Sequence, residues 1–371
     1  MIPNAKPSIG AEELSEVAKV FASGWLGLGS EVFEFEKSLK VFLGARNVIA
    51  VNSGTSALHI ALDALGIGAG DEVIVPAMTF AATPQAILAC RAVPVFCDID
   101  ETTLNMDLTD VKRRLTARTK AILPVHYGGL ACDMDGLAAL ARDRGLKIVE
   151  DAAHAFGSSY KGRKIGGFGD VVCFSFDPIK TITCGEGGAV STANDSLAQE
   201  ITRKRILGID KDTWHRYRNE RSWLYEVVTP GFRYHMSNVN AAIGLMQLKK
   251  AAAFIKSRQE IVRRYDSAFR GLAGVELLRR EYDETAPFNY VIKIKDGRRD
   301  GLIQFLAEEG VGAGLHYIPN HIQPLFKPHK ADLPATDRAF KEILSLPLYS
   351  SLTEKDVDTV IEKVRDYFAA I

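Results

Sequence analysis

Apolar and polar positions recur along this chain with two periods. Seven short runs are nearly all apolar: 47–53 (NVIAVNS), 72–77 (EVIVPA), 93–99 (VPVFCDI), 121–126 (AILPVH), 147–153 (KIVEDAA), 171–176 (VVCFSF) and 187–192 (GGAVST). Each predicts a strand buried on both faces. Between the early runs the spacing is helical. Leu58, Ala61, Leu62 and Leu65 share one face over 56–65, and similar patterns cover 110–115 and 134–144. Strands alternating with helices predict an α/β fold, with a mostly parallel seven-stranded sheet covered on both faces. The last two strands lack a helix between them, so one of them is expected to run antiparallel.

After about residue 240 the pattern changes. A long helical period covers 237–270, followed by a strand at 289–295, a helix at 301–310 and a final helix at 354–368. This predicts a large domain over 1–245 and a smaller C-terminal α+β domain over 246–371, on which the N-terminal segment packs. The charged stretch 204–221 reads as a solvated loop or a contact between subunits. Two glycine clusters, GIGAG (66–70) and GVGAG (310–314), lack the spacing of a dinucleotide fingerprint. Each is expected to follow a helix and precede a strand, as a cap or turn.

Composition narrows the function. At 371 residues the chain exceeds one small core, and 47% hydrophobic with 25% charged residues is ordinary for a globular protein. Lys plus Arg equals Asp plus Glu at 46 each, which argues against a nucleic-acid partner. No apolar run approaches the roughly 20 residues of a membrane span, and the N-terminus has no apolar signal core. Cys90, Cys97, Cys132, Cys173 and Cys184 form no CxxC pair; they are expected to be free thiols in a reducing cytoplasm, with no metal bound.

Three features follow strands. Asp151 ends an apolar strand, where an ionised carboxylate is costly unless a cation meets it. Alone it reads as a helix cap or a buried ion pair. Ser53-Gly54-Thr55-Ser56 turns from a strand into a helix, an ordinary N-cap or an anion site suited to phosphate. Lys180 follows the strand at 171–176, where a lone lysine is usually solvated. In a parallel sheet all three would gather at the carboxyl edge, where such sheets bind ligands. An amine, a carboxylate and a phosphate cradle are what pyridoxal 5′-phosphate (PLP) requires. The amine must become neutral to attack a carbonyl, which burial among Phe174, Phe176 and Ile179 would favour.

These residues lie in longer motifs: SGWLGLG (23–29), SGTSAL (53–58), GDEVIVPAMTFAAT (70–83), EDAAHAFGSSYKG (150–162), FSFDPIKTITCGEGG (174–188), GFRYHMSNVNAAIGLMQL (231–248) and HYIPNHIQPLF (316–326). In that order the chain resembles the nucleotide-sugar aminotransferases of the DegT/DnrJ family, within the fold-type I PLP superfamily, over nearly its whole length. The resemblance implies that Lys180 is the Schiff-base lysine, that Asp151 partners the pyridine nitrogen, and that His154 sits beside the cofactor ring. Phe80 would stack on that ring, and Gly54, Thr55 and Ser175, with Ser56 in the same helix start, would hold the phosphate. The family is typically a homodimer with its sites at the interface. A segment like GFRYHM reaches across from the neighbour, so Arg233 or His235 is expected near the phosphate, although relatives often have Asn and Arg there. Trp25, Leu26, Gly27, His126, Tyr127, His316 and His321 resemble sugar-binding positions, while His59, His215 and His329 read as packing or surface residues.

The implied reaction moves an amino group from L-glutamate to a nucleotide-linked keto sugar. HYGG (126–129) resembles members acting at C4 of a 4-keto-6-deoxyhexose more than those acting at C3. Amination at C3, amination of a keto-cyclitol, and a non-catalytic binding protein on the same fold are the alternatives. Retention of Lys180 and Asp151 counts against the last.

Overall fold

A computed structural model describes residues 1–210 and 225–369. All seven expected strands form: β1 (Asn47–Val51), β2 (Glu72–Pro76), β3 (Val93–Cys97), β4 (Thr119–Ile122), β5 (Lys147–Asp151), β8 (Val171–Ser175) and β9 (Gly188–Thr192). A small hairpin, β6 (Ser159–Tyr160) and β7 (Arg163–Lys164), lies between β5 and β8. The sheet order is β1-β9-β8-β5-β4-β2-β3, and β9 alone runs against the rest. The absence of a crossover helix between β8 and β9 causes this, since a short link returns only antiparallel. The carboxyl ends of β1, β2, β4, β5 and β8 therefore share one edge.

Helices α3 (Gly54–Ala64), α4 (Ala82–Ala89), α5 (Leu108–Arg113), α6 (Met134–Arg144) and α7 (Asp195–Lys204) accompany this sheet. Two helices escape the strand-helix reading, α1 (Ala11–Ser23) and α2 (Ser30–Leu43), and both pack on the long helix α8 (Asn238–Phe269). In α2 the buried residues Val32, Phe35, Leu39 and Leu43 keep helical spacing. Phe35 meets Phe176 edge-on at 5.4 Å, and Phe156 meets Phe174 and Phe176 at 5.8 and 5.5 Å. These edge-to-face pairs fix the β8 end of the core.

Ser237 caps α8 by accepting the Asn240 N–H at 3.2 Å. The helix continues unbroken through position 245. Beyond it, β10 (Val275–Leu277), β11 (Tyr290–Ile294) and β12 (Ile343–Leu346) form a second sheet with α9 (Arg299–Glu308), α10 (Pro334–Glu342) and α11 (Glu354–Ala369). The N-terminus joins this part. Ile2 bridges Val311, and the Asn4 side chain donates to the Ser345 carbonyl at 2.9 Å.

Two expectations need correction. GIGAG does lie between α3 and β2, but GVGAG follows α9 without leading into a strand; Val311 and Gly314 make isolated bridges instead. The start of the charged stretch is buried rather than solvated. Arg205 is 2% exposed, pairs with Glu36 and donates to the Ala50 carbonyl, and Lys204 lies 2.7 Å from Asp63. Residues 211–221 of that stretch, His215 among them, lie outside the described residues. All five cysteines are free, and among the described residues no helix is long and apolar enough to cross a membrane, nor does any cluster suit a metal ion.

Candidate active site

The loops leaving β1, β2, β5 and β8 surround a cavity of about 990 Å³, closed on one side by His316 and Tyr317 from the C-terminal part. At its floor, β1 turns into α3. Ser53 caps the helix, its hydroxyl accepting the Ser56 N–H at 3.0 Å. The first intrahelical bond is made by Ala57, so the N–H groups at Gly54 and Thr55 precede the ladder and sit at the positive end of the helix. Gly54 lies against β8: a Cβ there would stand 2.7 Å from the Ser175 Cβ and 3.0 Å from its hydroxyl. Only glycine lets the helix start and Ser175 share the same wall. Ser53, Gly54, Thr55 and Ser175 all line the cavity.

Asp151, the last residue of β5, is 5% exposed. One carboxylate oxygen accepts the Ala153 N–H at 3.0 Å and the other accepts the Thr83 hydroxyl at 2.8 Å. Thr83 is itself 3.0 Å from the Thr79 hydroxyl. Burial raises the Asp151 carboxyl above its usual range, against the pull of these bonds and of Lys180. Lys180 lines the same cavity. Burial pushes its ammonium down to about 8, although Asp151 and Asp177 act the other way. Its Nζ lies over the Phe288 ring, 4.2 Å from the centroid.

His154 is buried beside these groups and held well below the usual imidazole range by burial and by the charge on Lys180. Its Nδ1 accepts the Gly128 N–H at 3.4 Å, so Nε2–H donates to the Tyr317 hydroxyl at 2.7 Å. Phe80 stands at the mouth, 59% exposed, with its ring 5.8 Å from that of Tyr317.

The cavity thus gathers Lys180, Asp151, His154, Phe80, Gly54, Thr55, Ser175 and His316. Other expected residues lie elsewhere. Ser56 faces away, its hydroxyl donating to the Asn52 side chain at 2.7 Å. His126 is wholly buried. Its Nδ1 accepts the Cys132 N–H at 3.1 Å and its Nε2–H donates to Glu150 at 2.9 Å, so the ring bridges β4 and β5 rather than facing substrate. Tyr127 is buried too; its hydroxyl donates to the His316 carbonyl and its flank borders a separate cavity. His321 is 7% exposed and faces Asp337 at 3.1 Å. Trp25, Gly27, Arg233 and His235 line a different cavity of about 630 Å³, and Leu26 beside them is exposed. His59 packs against Phe232 and bonds Tyr234, as a packing residue should, and His329 is half-buried.

Thr83, Asp177, Glu186 and Phe288 were not anticipated, whereas Tyr317 lies in the run 316–323 that resembles sugar-binding positions. Thr83 carried a usable signal, a hydroxyl just past the carboxyl edge of β2. The other side chains are brought in by turns and by the C-terminal part.

The groups present fit PLP. The helix start and the Ser175 hydroxyl suit a phosphate, a buried carboxylate suits a cationic ring nitrogen, and the half-desolvated amine suits an aldehyde. A parallel sheet carrying this triad at its carboxyl edge defines a fold-type I PLP-dependent aminotransferase. More specifically, residues 7–365 match the model of the DegT/DnrJ/EryC1/StrS aminotransferase family, and the chain belongs to that family. It is 43% identical to the spore coat polysaccharide biosynthesis protein SpsC of Bacillus subtilis, over 98% of this chain and 96% of the relative. The crystal structure of the aminotransferase TlmJ from Streptoalloteichus hindustanus superposes with a TM-score of 0.94 at 36% identity, covering 100% of this chain and 99% of that one. Spr1654 from Streptococcus pneumoniae, in its PMP form, also gives 0.94, at 32% identity over 100% of both chains.

Proposed function

We propose that the enzyme transfers an amino group from L-glutamate to a nucleotide-linked keto sugar, at C4 of a 4-keto-6-deoxyhexose. The observation that carries the chemistry is the convergence of Lys180, Asp151 and the Gly54-Thr55-Ser175 cradle on one cavity. Membership of this aminotransferase family and likeness to SpsC, a polysaccharide biosynthesis protein, support a sugar substrate, and the resemblance of HYGG to members acting at C4 favours that position over C3.

Bound PLP supplies an aldehyde that bonds reversibly to amines and a ring that accepts an electron pair. Lys180 would supply the amine, and its Nζ, once free and neutral, would take the proton from the amino-acid Cα and deliver it to the former aldehyde carbon on the other side of the linking nitrogen. Its lowered pKa makes the neutral base accessible near neutral pH. Asp151, oriented by Thr83 and Ala153, would hold a protonated ring nitrogen. Neutral His154 has its tautomer set by Gly128 and Tyr317, so it adds no charge beside Lys180.

Charge balance supports a homodimer. Asp151, Asp177 and Glu186 line the cavity, and Lys180 is the one lysine or arginine among the described lining residues. A phosphate dianion added there calls for another cation. Arg233 is exposed and lines a separate cavity; we assign it, from the family resemblance, as the cation given to a neighbour's site. Free buried thiols support a reducing, cytoplasmic setting.

The test is a panel of UDP-, GDP- and dTDP-linked 4-keto and 3-keto sugars and keto-cyclitols, with release of 2-oxoglutarate from glutamate as the readout. Turnover is expected with a nucleotide-linked 4-keto-6-deoxyhexose. Turnover confined to cyclitols or 3-keto sugars would overturn the substrate assignment.

A further inference from the structure

Phe288 belongs to none of the motifs that carry the chemistry, yet its ring touches two of the residues that do. It precedes β11 and is 5% exposed. Its ring stacks on His154, with centroids 4.1 Å apart and planes 14° apart. The Lys180 Nζ lies over the same ring. Both ends of the residue are tied down. Its N–H donates to the Gly128 carbonyl at 3.1 Å, and its carbonyl accepts from the Arg258 guanidinium at 3.0 Å. Arg258 is buried and also reaches the carbonyls of Pro287 and Leu348. The guanidinium therefore fixes this segment within the C-terminal part, and the bond to Gly128 ties it to the large part.

An aromatic face is electron-rich and attracts an ammonium, more strongly where water is excluded. The charged groups facing Lys180 are the Asp151 and Asp177 carboxylates, with Glu186 on the same wall; His154, His316 and Tyr317 are neutral. In the proposed reaction the lysine must release the cofactor in each half-turnover, wait, and exchange a proton with the substrate. A freely swinging side chain would lose rotamer entropy on every return.

We infer that Phe288 is a positioning residue whose ring face seats the Lys180 Nζ while that amine is not bonded to the cofactor, and holds it most firmly once the amine has taken up a proton. This rests on the reading of Lys180 as the cofactor lysine. If Phe288 merely packed the junction between the two parts, replacing it would lower stability without moving the titration of Lys180.

The test uses the full chain without cofactor. Acetylation of Lys180 by acetic anhydride is followed across pH by peptide mass spectrometry. Phe288 is replaced by 3,4,5-trifluorophenylalanine, which nearly keeps the ring's shape and weakens the charge on its face, and in parallel by Leu and by Tyr. The fluorinated protein and Phe288→Leu are expected to lower the midpoint by about half a pH unit, equivalent to roughly 0.7 kcal/mol, while Phe288→Tyr leaves it in place. An unchanged or raised midpoint in the fluorinated protein would overturn the inference, even if Phe288→Leu failed to fold. Borohydride trapping of PLP on the same proteins separates the two readings. Cofactor fixed elsewhere than Lys180 would sink the assignment of the lysine; cofactor fixed at Lys180 with no midpoint shift would sink the role of Phe288 alone.

Discussion

Thr83→Val isolates one hydrogen bond to the buried carboxylate. The threonine hydroxyl is 2.8 Å from Asp151, which has the Ala153 N–H as its other donor. Valine keeps the shape and removes the donor. A hydrogen bond to a charged group contributes about 1.5–3 kcal/mol. At 1.36 kcal/mol per unit, its loss raises the Asp151 carboxyl by about one to two further units. With one donor fewer the carboxylate is less firmly oriented and more readily protonated, so it serves the cationic ring nitrogen less well, and PLP affinity is expected to fall by up to about 100-fold. Titrating the cofactor-free protein with PLP at neutral pH measures this, and Thr83→Ser should restore binding. Wild-type affinity in Thr83→Val, or a serine variant as weak as the valine one, would refute the reasoning. The same bond predicts a pH effect on folding. Because the folded carboxyl lies above its usual range, Asp151 favours folding at low pH, and that contribution is lost as pH rises through the folded value. In Thr83→Val the loss should extend to higher pH, as read by chemical denaturation of the cofactor-free protein across pH.

Gly54→Ala would force a Cβ to within 2.7 Å of the Ser175 Cβ; destabilisation by about 1–3 kcal/mol and loss of phosphate-dependent PLP binding are expected from denaturation and titration. His126→Leu should cost about 3 kcal/mol by leaving the buried Glu150 without its bridge, while the folded protein still binds substrate normally, which a KM measurement checks. Mixing inactive Lys180→Ala with inactive Arg233→Ala subunits should recover activity if sites are completed across a dimer; no recovery from a verified heterodimer would count against it.

The central sheet was readable because strands buried on both faces appear as unbroken apolar runs, and the missing helix between β8 and β9 announced the reversed strand. Helices α1 and α2 were not read although Val32, Phe35, Leu39 and Leu43 keep the period, because no strand precedes them to frame the alternation. β10 has three partly exposed residues, too few to show any period. In the site, Asp151, Lys180 and the Ser53-Gly54-Thr55 turn were legible because each lies at or within a few residues of a strand's carboxyl end, and parallel strands bring such ends together. His126 was expected near the sugar because its motif resembles the family's, yet it lies buried and does not line the cavity. Its ring turns to Glu150 on the adjacent strand, a choice set by β4–β5 pairing rather than by local sequence. Phe288 reaches Lys180 and His154 only through packing of the C-terminal part, which leaves no local trace, while Tyr317 was flagged only by the resemblance of the run 316–323.

The claim on which the rest depends is that the amine at position 180 captures the cofactor while the acid at 151 holds its ring. Reducing the PLP-loaded protein with borohydride and mapping its peptides tests this most directly. The account predicts a single modified peptide containing Lys180, and no modification there in Lys180→Ala. Cofactor mass fixed to another lysine, or an unmodified Lys180 in fully loaded protein, would contradict it.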